Sequence, residues 1–212
     1  ISISWVVKVC QIMNLFGVFY MQRHAILNTV GWGILLPLGV IAARYLKPFT
    51  DPAWFYVHVL VQSIGYILGV AGWSTGLVLG NYSVGVVYQK HRFIGIALFA
   101  ISTLQVCAIL VRPSKGHKIR GAWNYYHYTL GVSILVLSIL NIFYGFDILA
   151  PAPKWRYGYI GILGGLAGLT MVFEIVKWVH YAWMIKGLNP PQEQKLRGAI
   201  LGTPNSHRTD GV

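Results

Sequence analysis

The sequence predicts an all-α membrane protein, an antiparallel bundle of five transmembrane core helices. Three observations predict it. Of the 212 residues, 56% are hydrophobic and only 10% are charged, the balance of a chain whose solvent is lipid. Five apolar runs each reach the roughly 20 residues a helix needs to cross a ~30 Å hydrocarbon core. Short polar breaks separate those runs, and the basic residues collect in the breaks and the tail. The formal net charge of +12 therefore indicates headgroups rather than nucleic acid, which would call for one concentrated basic patch.

Residues 1–22 form an apolar lead interrupted by Lys8, Gln11 and Asn14. Scattered polar positions of this kind suit a segment lying along the headgroups, so the lead is expected to be interfacial, with a membrane span as the alternative, and no turn signal separates it from the next run. It lacks the small-residue cleavage site of a signal peptide. Because the first residue is Ile1 rather than methionine, the sequence reads as a fragment or a processed form.

The core domain is expected over 23–186, with apolar runs at 25–46, 53–79, 92–111, 122–146 and 157–185. Each break carries its own stop signal: Lys47-Pro48 and Asp51-Pro52, Gly80-Asn81, Arg112-Pro113, and Pro151-Ala152-Pro153. Proline cannot continue a helix and glycine ends one at low cost. Beyond Lys186 the tail, 187–212, is rich in Gly, Pro and polar residues and is expected to be disordered. Cys10 and Cys107 have neither a partner spacing nor a CxxC motif, so a disulfide framework and a covalent haem attachment are both excluded.

Short connections make successive helices antiparallel. The first, third and fifth runs then start at one membrane face, A, and the second and fourth at the other, B. Face B holds the larger share of the basic residues, among them Arg44, Lys47, Arg112, Lys115, Lys118 and Arg120, with Lys195, Arg197 and Arg208 in the tail. Face A holds Arg23, Lys90, Arg92, Lys154 and Arg156. The positive-inside rule places face B and the C-terminus in the cytosol.

Four histidines stand at or near the starts of these runs: His24 and His91 at face A, His58 and His127 at face B. Ionisable residues inside a membrane are costly and tend to face a bundle interior where they serve a function. Each face thus offers two imidazoles from different helices, with a gap that a flat ligand fills. Two axial nitrogens on opposite sides of a planar macrocycle make a bis-histidine haem b, so the bundle is expected to enclose two haem sites.

A helical wheel adds small residues to this picture. Positions 7, 11, 14 and 18 after a residue return to within about 40° of its face. From His58 these are Gly65, Gly69, Gly72 and Gly76, which would let a ring lie close to the backbone. The stripe from His127 carries Gly131, Ser138, Asn141 and Gly145; that from His91 carries Gly95, Ser102 and Gln105; that from His24 carries Asn28 and Gly31. The same glycines also fit small-xxx-small helix packing, as do Gly161, Gly164, Gly165 and Gly168 on the fifth run, where they allow a homodimer or packing within one bundle. His117, His180 and His207 have no matching partner and read as ordinary polar positions.

Two other functions stay open on the residues alone. One is a haem-free, histidine-dependent metal-ion or proton transporter; yet such transporters use intramembrane carboxylates, and Glu174 is the only acid inside a predicted helix. The other keeps a single haem and uses the second pair structurally. Hydrolytic chemistry has no material here, since HExxH, nucleophile motifs and paired carboxylates are missing from the sequence.

Over about 23–185 the chain also resembles the cytochrome b561 family, most closely the membrane core of plant members linked to a DOMON domain. The resemblance is carried by RHAILNTVGWGILLPLGVIAARYLK, DPAWFYVHVLVQSIGYILGVAGWSTGL, HRFIGIALFAISTLQVCAILVRP, WNYYHYTLGVSILVLSILNIFYGFDIL and KWRYGYIGIL. It implies a trans-membrane oxidoreductase with two haem b groups, passing single electrons from cytosolic ascorbate to an outer acceptor such as monodehydroascorbate or a ferric chelate. The family's ligands fall on His24, His91, His58 and His127. It also implies a multi-pass protein of the plasma membrane or an endomembrane. DOMON-linked members carry that domain ahead of the first core helix, where residues 1–22 stand here without looking like a remnant of it. Ascorbate-using members tend to carry a lysine just before the cytosolic-side ligand of the second core helix, and Asp51 to Val57 contains none. Arg44, Lys47, Arg112, Lys115 and Arg120 are the basic residues that attract an anionic reductant at that face or, on the plainer reading, anchor the helices to headgroups.

Overall fold

The computed structural model describes residues 3–82, 88–114, 116–188 and 190–201. Lys115, His207, Arg208 and the tail beyond 201 lie outside the described residues, as do the side chains of Lys8, Cys10, Lys195 and Arg197. The chain forms two compact units, Ile1–Leu166 and Ala167–Val212. The first contains α1 (Ile3–Val30), a π-helical turn (Gly31–Leu35), α2 (Leu36–Tyr45), α3 (Ala53–Tyr82), α4 (Gln89–Cys107), α5 (Arg120–Leu149) and the first half of α6 (Pro153–Ile185). The second contains the rest of α6 and α7 (Pro190–Leu201).

The two ends of the chain are more helical than their composition suggests. From Ile3 onward the lead is helical and continuous with the first core run, since α1 passes through His24 without a break. No proline interrupts that stretch, and lysine, glutamine and asparagine are all tolerated in a helix interior. The tail is helical over Pro190–Leu201, where disorder was expected. Proline is favoured in a first helical turn, Glu193 complements the N-terminal dipole, and Gln192, Gln194, Lys195, Leu196 and Arg197 are good helix formers.

Among the described residues, four helices are long and apolar enough to cross a membrane: Leu15–Tyr45, Ala53–Asn81, Arg120–Leu149 and Pro153–Ile185. The 19-residue α4 opens with Gln89, Lys90, His91 and Arg92 and ends at Cys107, short of the expected 111. Residues 108–111 continue as turns, with Leu110 N–H donating to the Cys107 carbonyl at 3.0 Å.

The π turn has a local cause. Pro37 lacks an N–H and its ring crowds the carbonyl four residues back, Gly33. The helix widens there, and Leu36 N–H donates to Gly31 five residues back. Val30 and Leu36 keep right-handed helical dihedrals, so α1, the π turn and α2 form one rod.

Antiparallel packing is visible residue by residue. Ascending α1 and α2 through His24, Asn28, Trp32 and Leu36 meets α3 descending through Gly76, Gly72, Gly69 and Gly65. Between α3 and α4, Trp73 stacks on Phe99 at 4.3 Å and Tyr66 hydrogen-bonds Thr103 at 2.8 Å. Between α4 and α5, His91 lies against Gly145 and Gln105 against His127. The buried core of Trp32, Leu36, Leu98 and Ile134 lies between the two histidine levels. Ser138 is fully buried beside it, with its hydroxyl donating to the Leu135 carbonyl at 2.9 Å. Large side chains such as Leu60, Ile67, Phe93 and Val136 point outward, as expected where lipid rather than protein covers a helix.

Candidate functional site

At face A, His24 of α1 and His91 of α4 meet with ring centroids 5.8 Å apart and planes at 71°. Their Nε2 atoms are 3.5 Å apart. His24 Nδ1 donates to the Gly72 carbonyl of α3 at 2.9 Å, and His91 Nδ1 donates to the Asn141 carbonyl of α5 at 3.1 Å. A carbonyl can only accept, so these bonds place the proton on Nδ1 and leave the Nε2 lone pair of each ring facing its partner. Asn28 supports His24 from below. Its amide donates to the His24 carbonyl at 2.6 Å and its oxygen accepts from Trp32 Nε1 at 3.0 Å.

At face B, His58 of α3 and His127 of α5 meet with centroids 6.1 Å apart and planes at 80°. His58 Nδ1 donates to the Gly39 carbonyl of α2 at 2.8 Å. Gln62, one turn on, packs against Gly39 and donates to the Leu36 carbonyl at 3.1 Å. His127 is held differently. Trp123, one turn earlier on α5, stacks on it at 5.0 Å with an 8° tilt, and Gln105 of α4 donates to its backbone carbonyl at 2.8 Å. His127 Nδ1, Trp123 Nε1 and Gln105 Oε1 are buried without hydrogen-bond partners among the described residues.

The structure thus brings the four histidines together as His24 with His91 and His58 with His127. The levels are about 21–27 Å apart along α3, from His58 to the Gly72–Gly76 turn that seats His24, at about 1.5 Å per residue.

The glycine stripe below His58 is where the structure departs from the sequence reading. Gly65, Gly69 and Gly72 do not face open space for a ring. A Cβ at Gly69 would come within 2.4 Å of Trp32, at Gly72 within 2.6 Å of Asn28, and at Gly65 within 3.0 Å of Leu36. These glycines let α1 and α2 approach α3, and Gly76 makes room for the His24 ring, 2.7 Å from where its Cβ would be. Gly95 and Gly131 differ: the nearest atoms to a Cβ there are at 3.6 Å and 4.0 Å. On α6, nothing among the described residues lies within 4 Å of a Cβ at Gly161, Gly164 or Gly165.

Of the basic residues, Arg112 and Arg120 lie at the His58 and His127 end. Arg112 sits over the Phe55 ring at 4.0 Å, and Arg120 over Trp123 at 5.1 Å while donating to the Pro113 carbonyl. Partial burial, and secondarily the neighbouring Arg120, push the Arg112 guanidinium below its ordinary value. Lys47 lies over Trp54 at 5.5 Å and Arg44 over Tyr45 at 5.4 Å. At face A, Arg156 is paired with Asp147 at 2.6 Å.

Two imidazoles alone do not make an ordinary protein metal site, which takes three or four side-chain ligands. Among the described residues no group of three or more His, Cys, Asp or Glu stands together. The donor set fits a group that brings its own equatorial ligands. At His24 and His91 the two Nε2 atoms that would bind such a group face each other across 3.5 Å. Nδ1–H bonds to carbonyls are also the usual second support of a metal-bound histidine. Haem b meets these requirements, and the four histidines are the residues that would hold it.

Sequence reasoning did not single out Gly39, Gln62 or Trp123. An aromatic residue one turn before a histidine was the available signal for Trp123, whereas a carbonyl acceptor such as that of Gly39 leaves none, since every residue has one.

The profile of eukaryotic cytochrome b561 matches residues 23–150, a stretch that contains all four histidines. The chain belongs to the cytochrome b561 family. Among relatives, a cytochrome b561 and DOMON domain-containing protein of Arabidopsis thaliana is 54% identical over 157 residues, 74% of this chain and 39% of the relative. A second protein so named, from the same plant, is 51% identical over 157 residues, 73% of this chain and 39% of its own length. A cytochrome b561 domain-containing protein of A. thaliana is 29% identical over 173 residues, covering 77% of this chain and 65% of the relative. The chain therefore spans about two fifths of the length of these DOMON-containing relatives. No solved structure matches.

Proposed function

We propose that this cytochrome b561 chain carries single electrons across a membrane between two haem b groups, one held by His24 and His91 and the other by His58 and His127. The observation that carries the reading is the pair of Nε2 atoms 3.5 Å apart, each on a ring whose Nδ1 proton is tied to a carbonyl of a third or fourth helix. When bound, haem supplies reversible one-electron storage. The chain supplies ligation, spacing and local charge. Membership of the family and the match across all four histidines support this reading.

Face B is the cytosolic, electron-donating side, and the C-terminus is cytosolic. Arg112 and Arg120 there, with Arg44 and Lys47 nearer the α2 end, attract an anionic reductant of the ascorbate class. Ascorbate gives up one electron and one proton to become monodehydroascorbate. At face A the electron reduces an outer acceptor, either monodehydroascorbate or a ferric chelate, which becomes ferrous. Asn28, Gly95 and Gly131 line the ligand helices beside the histidines, with Asn28 orienting His24.

The test is a reduced-minus-oxidised spectrum of the purified chain with a haem assay. Two b-type haems per chain, reduced by ascorbate, are expected. A colourless protein overturns the reading, and one haem per chain confines electron storage to a single pair.

A further inference from the structure

Three of the four imidazoles are oriented by a backbone carbonyl, and the fourth is not. His24, His58 and His91 donate Nδ1–H to Gly72, Gly39 and Asn141. His127 Nδ1 is buried without a partner among the described residues. With Nε2 given to a metal, Nδ1 carries the proton, and an unmatched buried donor is costly.

Two neighbours hold His127. The indole of Trp123 lies flat on its ring, 5.0 Å away and tilted by 8°, which fixes the ring plane. Gln105 reaches over from α4 and donates Nε2–H to the His127 carbonyl at 2.8 Å. Because that carbonyl can only accept, the amide nitrogen must face it. Gln105 Oε1 is thereby turned away, and it too is buried and unmatched. One residue pair already in contact thus carries a spare buried acceptor and a spare buried donor. A single buried water has the two to four hydrogen bonds needed to join such groups.

We propose that Trp123 and Gln105 are the positioning residues of His127: the indole fixes the ring plane, and Gln105 Oε1 accepts the Nδ1 proton through one bridging water. The inference rests on the haem-ligand reading above. An acceptor on Nδ1–H raises the basicity of Nε2 and favours the oxidised metal. Gln105 then lowers the potential of one haem only, while Trp123 sets the angle between the two axial rings of that same haem.

The experiment uses the full chain, purified with haem in lipid nanodiscs, as wild type and as Gln105→Leu, Trp123→Leu and Trp123→Phe. A potentiometric titration resolves the two haems, and low-temperature electron paramagnetic resonance of the oxidised state reports the axial ring angle. In Gln105→Leu one component is expected to shift about tenfold towards the reduced form, about 59 mV for one electron, with the other unmoved. Trp123→Leu is expected to alter the resonance of one haem, and Trp123→Phe, which keeps a stacking face, to restore it. If Trp123→Leu loses one haem, recovery in Trp123→Phe supports the stack and failure to recover overturns it. Two retained haems with unchanged potentials and resonances overturn the inference alone, as do equal shifts in both. A wild type without b-type haem overturns the ligand reading and this inference with it.

Discussion

In the proposed function each histidine presents Nε2 to its partner ring, and at His24, His58 and His91 a carbonyl acceptor holds the proton on Nδ1. At His24 and His58 the acceptors are carbonyls of Gly72 and Gly39, positions where the helices come close. The two pairs share no side chain, so single losses are separable. His24→Ala is expected to remove one haem and leave most of the other, as is His58→Ala, measured by haem content per chain. Loss of both haems from either change contradicts independent sites. The charge at face B makes a second expectation. Arg112 and Arg120 lie at the His58 and His127 end, Arg112 over the Phe55 ring and Arg120 over Trp123. Arg112→Gln is expected to raise the KM for ascorbate several-fold with a smaller effect on kcat, and the difference from wild type should shrink at high salt, where charges beyond a Debye length of about 3 Å at 1 M are screened. A salt-insensitive change would point to lost packing on Phe55 instead.

At the scale of elements, the glycines of α3 separate two roles that the sequence left open. Gly31 and Gly65 put backbone against backbone: a Cβ at Gly31 would lie 2.7 Å from the Gly65 carbonyl oxygen. Without a hydrophobic force between helices in lipid, such close packing is what holds α1 to α3. Gly69→Ala, driven into Trp32, is expected to destabilise the protein by about 1–3 kcal/mol, the usual cost of overpacking. Gly164→Ala on α6, with open space around it, is expected to be neutral. Thermal unfolding in detergent compares the two, and equal destabilisation would refute the assignment. Ala150 ends α5 in the left-handed region at φ 41°, a conformation that costs a non-glycine residue about 1–2 kcal/mol. Ala150→Gly is therefore expected to raise the melting temperature slightly. Run lengths and proline breaks made the helices legible, because hydrocarbon thickness and the missing proline N–H act locally. The pairing of the histidines was legible too, since antiparallel threading alone sorts them. The glycine stripe misled because a helical wheel gives the face and not its occupant: Trp32 and Asn28 fill the side of α3 that the wheel assigned to a ring.

Across the molecule, the proposed function makes the two histidine pairs the terminals of one path rather than two separate stores. The His24 and His91 site draws on α1, α3, α4 and α5, and the His58 and His127 site on α2 to α5, so the same rod and the same three helices set both ends. Between them lies the packed layer of Trp32, Leu36, Leu98 and Ile134, apolar and free of charge. Such a layer blocks water and ions while leaving the two ends within one bundle, which is what a carrier of electrons alone requires. The consequence is an asymmetry between single variants. In proteoliposomes with ascorbate on the face B side and a membrane-impermeant ferric chelate on the other, wild type is expected to reduce the chelate. His58→Ala should block both rapid reduction of the remaining haem by ascorbate and reduction of the chelate. His24→Ala should leave reduction of the His58 and His127 haem by ascorbate near the wild-type rate and yet abolish reduction of the chelate. Stopped-flow absorbance reads the first step and ferrous-chelate colour the second. A His24→Ala variant that still reduces the chelate at the wild-type rate would show that electrons leave without the face A pair, and the path drawn through the bundle would be wrong.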